Sequence, residues 1–357
     1  MKKEYLELYT DYLMSSFSYT TATGLSVMSE GKISHDKITR FLSSEDFTPA
    51  GLWRLIKPTV REIQSEAGVI IIDDTIEEKP STDENEIICW HFDHSQGISV
   101  KGVNIVSAMY YSNGYRIPVT FDLVRKTKTV VDEKTKKEKR ISEETKNEKY
   151  QRMLKACVKN NIKFNYVLND VWYASSENMM LVKEKLKKDF IMPIKTNRKI
   201  ALSQKDKLSG KYVTVSTLEL KENTQQEIYL EGVSFPLLVI KQVFKNADGS
   251  EGVLYLVSSD LTLTYEQITT IYHKRWKVEE YHKTLKQHVN LCKSPTKTVR
   301  TQSNHIFASI YSFFKLEYLS LKSGINPTAL RTKLYLTANR AAFNQLENLK
   351  ISIAMKF

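Results

Sequence analysis

The residues best placed to do chemistry in this chain are carboxylates that close apolar runs. Gly68-Val69-Ile70-Ile71-Ile72-Asp73-Asp74-Thr75 carries consecutive β-branched residues and then a pair of acids, the pattern of a fully buried strand ending in carboxylates. Asn165-Tyr166-Val167-Leu168-Asn169-Asp170 is a second short apolar strand that ends on an acid. Adjacent parallel strands lie ~4.8 Å apart, so Asp74 and Asp170 at neighbouring strand ends are able to share a divalent ion. Asp73 competes with Asp74. Successive side chains point to opposite faces of a strand, so only one of the pair faces an ion. No His or Cys set stands at metal spacing, and hard oxygen donors point to Mg2+ or Mn2+. Such ions suit phosphoryl transfer, one activating the attacking oxygen and another stabilising the leaving oxygen. His91 and His94, in Trp90-His91-Phe92-Asp93-His94, lack further ligands at suitable spacing; they fall where a strand-end site would let them touch DNA.

A third carboxylate is expected from a helix over about Thr264 to Asn290. At ~100° per residue, Arg275, Glu279 and Lys286 fall within roughly a 60° arc that includes Tyr272. Ile271, Val278, Leu285 and Val289 make a neighbouring apolar stripe suited to packing on a sheet. Glu280 lies about 100° from Glu279 and so points elsewhere. The alternative is a solvated charged helix whose register is fortuitous. Trp276 is assigned to core packing.

These groups need a scaffold. Residues 1–66 read as helical, with Leu6, Tyr9, Leu13 and Phe17 at helical spacing and Ser34-His35-Asp36 as a helix start. This region is either a DNA-docking unit or a cap over the core. After the first strand, residues 76–99 look irregular. Lys101 to Tyr111 and Tyr115 to Val124 form a hairpin through Ser112-Asn113-Gly114, with Pro118 interrupting the pairing. Residues 126–149 are a dense mixed-charge run, read as a solvated loop or a loop that tracks DNA. Helices are expected near 147–160 and 176–188. Four strand-like stretches then lie between residues 191 and 262, separated by turns such as Ala247-Asp248-Gly249. The expected division is 1–66, a helical region; 67–190 and 263–321, two parts of one α/β core; 191–262, a β-rich insertion; and 322–357, a helical tail.

The bulk properties exclude several classes. No stretch is long and apolar enough to cross a membrane, and the opening MKKEYLELYT is charged where a signal peptide needs an apolar core. A cytoplasmic location without membrane contact is expected. Cys89, Cys157 and Cys292 are odd in number and widely spaced, which argues against a disulfide framework or a zinc site. A net charge of +12 suits a polyanionic partner.

The segment from Ile271 to Lys286 carries Tyr272, Arg275, Glu279 and Lys286 in the pattern Y-x2-R-x3-E-x6-K. It resembles the signature of DDE transposases from a large family of bacterial insertion sequences, family four. Asp74 in Asp-Asp-Thr and Asp170 in Val-Leu-Asn-Asp match that family's first two acids, and the match to the acid just before Thr favours Asp74 over Asp73. The resemblance covers about residues 65 to 320. It implies an RNase H-like α/β core: a mixed five-stranded sheet flanked by helices and interrupted by a β-rich insertion. It also implies that Asp74, Asp170 and Glu279 hold two Mg2+ (or Mn2+) ions, and that Tyr272, Arg275 and Lys286 contact phosphates. The implied partners are double-stranded DNA, as terminal inverted repeats and target, and a second copy of the chain, in a bacterial nucleoid. One departure concerns hairpin-forming members, which carry a Trp in the insertion. Residues 191–262 hold none, leaving Tyr229, Phe235, Phe244 and Tyr255 as stacking faces. The rival readings are a nuclease without strand transfer and a non-catalytic DNA-binding descendant; a phosphatase leaves the helix signature unexplained.

Overall fold

The computed structural model describes residues 3–93, 96–131, 133, 136–221, 223–245 and 249–354. His94 and the Ala247-Asp248 part of the expected turn lie outside them, as do Asp132, Lys134 and Thr135 of the mixed-charge run. Four helices open the chain, α1 (Lys3–Ser15), α2 (Ala22–Met28), α3 (His35–Ser44) and α4 (Pro49–Ile63). Strands β1 (Val69–Glu78), β2 (Cys89–Asp93), β3 (Ile98–Ser112) and β4 (Tyr115–Leu123) follow, then β5 (Lys128–Val131), β6 (Glu138–Ile141) and helix α5 (Lys146–Lys159). Next come β7 (Tyr166–Asn169), α6 (Ser176–Met180), β8 (Asp189–Ile194), β9 (Lys199–Ala201), α7 (Gln204–Leu208), β10 (Val213–Thr214), β11 (Gln225–Leu230), β12 (Leu237–Lys245) and β13 (Glu251–Ser258). Helices α8 (Tyr265–His273), α9 (Trp276–His288), α10 (Val299–Ser323) and α11 (Pro327–Ala354) complete it. The chain divides into two compact units, Met1–Thr48 with Lys283–Phe357, and Pro49–His282.

The first unit is helical and centred on α10. Ile306, Phe307, Ile310 and Phe313 are fully buried there, and α1 brings Leu6, Tyr9 and Leu13 to the same core, whereas Phe17 is exposed. A buried polar clamp joins α10 to the end of α3. Asn304 donates to the Leu42 and Glu45 carbonyls at 2.8 Å each and accepts from the Phe47 amide at 3.2 Å. Asn304→Ala would leave these backbone groups without their partner, and the expected loss is ~3 kcal/mol of unfolding free energy, read by denaturant titration.

The second unit is built on one mixed sheet of eleven strands, ordered β10-β9-β11-β12-β13-β8-β7-β1-β3-β2, with β4 also pairing β3. Helices flank it, with a helical region N-terminal to it, in the broad manner of RNase H and DDE folds. β1 is antiparallel to β3 and parallel to β7, and β7 is parallel to β8. Val69 to Ile72 are wholly buried because strands lie on both sides of β1 and both faces are covered. Asn113 and Gly114 take positive φ values of 51° and 86°, as the tight β3–β4 turn needs. The register shift in that pair falls between Ala108 and Met109, opposite Pro118, where the missing N–H breaks the ladder.

Several expectations change. The sheet is wider than five strands, because β13 pairs with β8 and carries the insertion strands on as one surface. Residues 76–99 are not wholly irregular: β1 runs on to Glu78, and β2 pairs with β3. Part of the mixed-charge run forms the exposed hairpin β5–β6. The expected long helix is two helices, α8 and α9. Across Lys274-Arg275 the amides of Lys274, Arg275, Lys277 and Val278 bond three residues back, which tightens one turn.

Candidate functional site

β1 outlasts its parallel neighbour, and that offset creates the site. Ile72 is level with Asn169 in the β1–β7 register, where β7 ends. Asp73 and Asp170 are the next residues on each strand, and Asp170 stays extended at φ −82°, ψ 178°. Successive side chains alternate along β1, so Asp73 and Asp74 leave opposite faces, and Asp170 at the end of β7 is within electrostatic reach of both.

Helix α9 covers the Asp73 face. Ser107 is level with Asp73 on β3, and its hydroxyl lies 3.4 Å from that of the fully buried Tyr281. That contact sets α9 at the height of Asp73. One turn of α9 then presents Glu279 and His282, whose ligand atoms lie with that of Asp73 all within 4.8 Å of one another. Ligands ~2.1 Å from one ion sit at most ~4.2 Å apart, so this set needs only slight closure to share an ion. The donors fit a divalent cation electrostatically as well. Burial, then the charges of Asp170, Asp74 and Glu279, hold the Asp73 carboxyl well above the usual range. Burial and the Asp74 charge also raise Asp170, against the amides of Trp172 and Tyr173 and the Arg275 charge. Arg275 answers this crowding in part, 3.3 Å from Glu279 and 3.8 Å from Asp73.

Asp74 is differently employed. Its carboxylate accepts from Lys146 Nζ at 2.7 Å, the Tyr173 hydroxyl at 2.7 Å and Asn104 Nδ2 at 2.8 Å. Burial opposes its ionisation, but Lys146 with Tyr173 and Asn104 outweighs that and holds the carboxyl below its ordinary value. The first acid expected from the sequence is therefore directed at a lysine on the opposite face from Glu279, and its neighbour Asp73 meets the helix acid.

Of the other expected site residues, Tyr272 stays within electrostatic reach of Arg275, Asp170 and Asp73. Tyr272 is only 7% exposed, and its hydroxyl donates to the Asn169 carbonyl at 3.3 Å, tying α8 to the last residue of β7, next to Asp170. Lys286 lies two turns beyond Glu279 on α9, half-buried. Glu280 pairs with Arg116 on β4 and with Lys277, away from the acids. Trp276 is 54% exposed, with the Arg275 guanidinium 5.1 Å from its ring centre, so core packing is not its role. His91 is buried on β2 beside Cys89 Sγ at 3.3 Å. Burial, then the Lys126 and Lys146 charges, push its imidazole down to about 3, which keeps it neutral. Of the stacking candidates, Tyr255 is buried, Tyr229 and Phe235 are half-buried and Phe244 is exposed. His282 was missed by sequence reasoning. The available signal was its place three residues after Glu279, on the same helix face.

Residues 1–211 match a family described as DDE superfamily endonuclease. The chain belongs to that family. In this DDE-superfamily protein, Asp73, Glu279 and His282 are a candidate metal-binding triad. No helix among the described residues is long and apolar enough to cross a membrane. The Drosophila P element transposase in its strand transfer complex is similar over 50% of this chain and 35% of that one, at 10% identity and a TM-score of 0.27. This chain thus spans about a third of that transposase. No curated protein matches the sequence.

Proposed function

We propose that the chain is a DDE transposase that nicks DNA at the terminal inverted repeats of an insertion sequence and joins the freed 3′-hydroxyl to target DNA. The observation that carries this reading is the meeting of Asp73 with Glu279, within electrostatic reach of Asp170, in a DDE-superfamily chain. In this reading β4-β3-β1-β7-β8 is the five-stranded RNase H-like core, and β9 to β13 form the insertion.

Asp73, Asp170 and Glu279 are then the catalytic, metal-holding acids, with Asp73 replacing Asp74 as the first. Two Mg2+ or Mn2+ ions, when bound there, activate the attacking oxygen and stabilise the leaving oxygen. Arg275 and Lys286 contact DNA phosphates by charge. Tyr272 holds the Asp170 strand end against α8 rather than meeting phosphate. The Y-R-E-K pattern of insertion-sequence family four is kept, with this altered part for its tyrosine. Two copies hold the two element ends, on the bacterial nucleoid.

A metal-dependent nuclease without strand transfer uses the same acids, and pre-cut DNA ends separate the two. With inverted-repeat ends taken from the DNA flanking the gene, joined product in Mg2+ is the expected result. Cleavage of intact ends with no joining of pre-cut ends would favour the nuclease.

A further inference from the structure

We propose that His282 is a ligand of the cation held by Asp73 and Glu279, and that it makes this centre select Mn2+ over Mg2+. The inference rests on the metal-holding reading of the acids and deepens it. His282 follows Glu279 by three residues on α9, so the two side chains leave the same helix face about one turn apart. Glu-x-x-His pairs on inward-facing helices recur as ligands of carboxylate-bound iron and manganese. The imidazole is 7% exposed, and its ligand atom lies within 4.8 Å of those of Asp73 and Glu279. Tyr281, locked to Ser107 from the adjacent helix position, fixes the turn that carries it.

The donor chemistry decides between ions. An all-carboxylate centre accepts Mg2+, which wants oxygen ligands in strict octahedral geometry and keeps its waters. Imidazole suits first-row transition ions better, whereas carboxylate suits Mg2+ and Mn2+ alike. A centre of two carboxylates and one imidazole therefore holds Mn2+ well and Mg2+ with one poorly matched donor.

The test is equilibrium binding to the full-length chain without DNA. Loss of the free Mn2+ electron paramagnetic resonance signal reads Mn2+ binding, and displacement by Mg2+ reads selectivity. The wild-type chain is expected to bind Mn2+ saturably and to need at least ~10-fold more Mg2+ for displacement. His282→Gln is expected to weaken Mn2+ by ~10–100-fold and to narrow the gap between the ions. His282→Asp, an all-oxygen set, is expected to let Mg2+ compete nearly evenly. It carries the comparison if thermal melting shows His282→Gln to be misfolded. Unchanged Mn2+ affinity and selectivity in the folded variants would overturn the proposal. Asp73→Asn separates the two levels. If it abolishes Mn2+ binding while the His282 variants do not, only the His282 inference fails. If it binds Mn2+ as the wild type does, or if the wild type shows no saturable binding, the metal reading of the acids fails with it.

Discussion

Asp73→Asn is expected to lower Mg2+- or Mn2+-dependent strand cleavage by ~10^3-fold or more, while binding to DNA ends is kept. Metal stabilisation of transition-state charge is worth several kcal/mol, and each 1.36 kcal/mol is about tenfold in rate. Asparagine keeps the shape of Asp73 but removes its charge, so the cation loses one anionic donor. The same substitution relieves crowding. Burial and three neighbouring acids raise the Asp73 carboxyl, and a neutral amide feels none of their repulsion. The variant should therefore melt no lower than the wild type in metal-free buffer. Single-turnover cleavage and thermal melting on one preparation check both halves. Cleavage within tenfold of wild type would remove Asp73 from the metal set.

Lys146→Met is expected to cost ~3 kcal/mol of stability, through an uncompensated carboxylate rather than through lost chemistry. Asp74 and Lys146 meet at 2.7 Å with side-chain exposures of 17% and 26%. Removing the cation leaves Asp74 with two neutral donors, Tyr173 and Asn104. Adding Asp74→Asn should recover much of the loss, because a neutral pair no longer buries a charge. Urea unfolding of the two single variants and the double variant forms the cycle that measures this. Equal and additive losses would mean that the pair does not act as an ion pair.

The contrast between these neighbours shows where the sequence was legible. Two apolar runs closing on acids located Asp73, Asp74 and Asp170, and alternation along a strand established that only one of the pair could face an ion. Asp73 follows Val69–Ile72 directly, as Asp170 follows Tyr166–Asn169, and parallel pairing in that register makes the two level. The register depends on tertiary pairing, and the motif match favours Asp74, which the structure engages with Lys146. Glu279 against Glu280 was legible because helical phase alone separates them. The tightened turn at Lys274-Arg275 was not, since a shift in backbone bonding leaves no mark in apolar periodicity. The width of the sheet was hidden likewise: β8 and β13 are ordinary apolar strands, and only their pairing makes the insertion continuous with the core. His282 is hidden in the sequence because its partner Asp73 lies on a distant strand, so the set has no ligand spacing along the chain.

Anomalous diffraction from Mn2+-soaked crystals of the full-length chain, collected at the manganese absorption edge, tests the central claim most directly. The account predicts an anomalous peak within coordination distance of Asp73 and Glu279. A peak bound to Asp74 on the Lys146 side of the sheet, with none at Asp73 and Glu279, would contradict it.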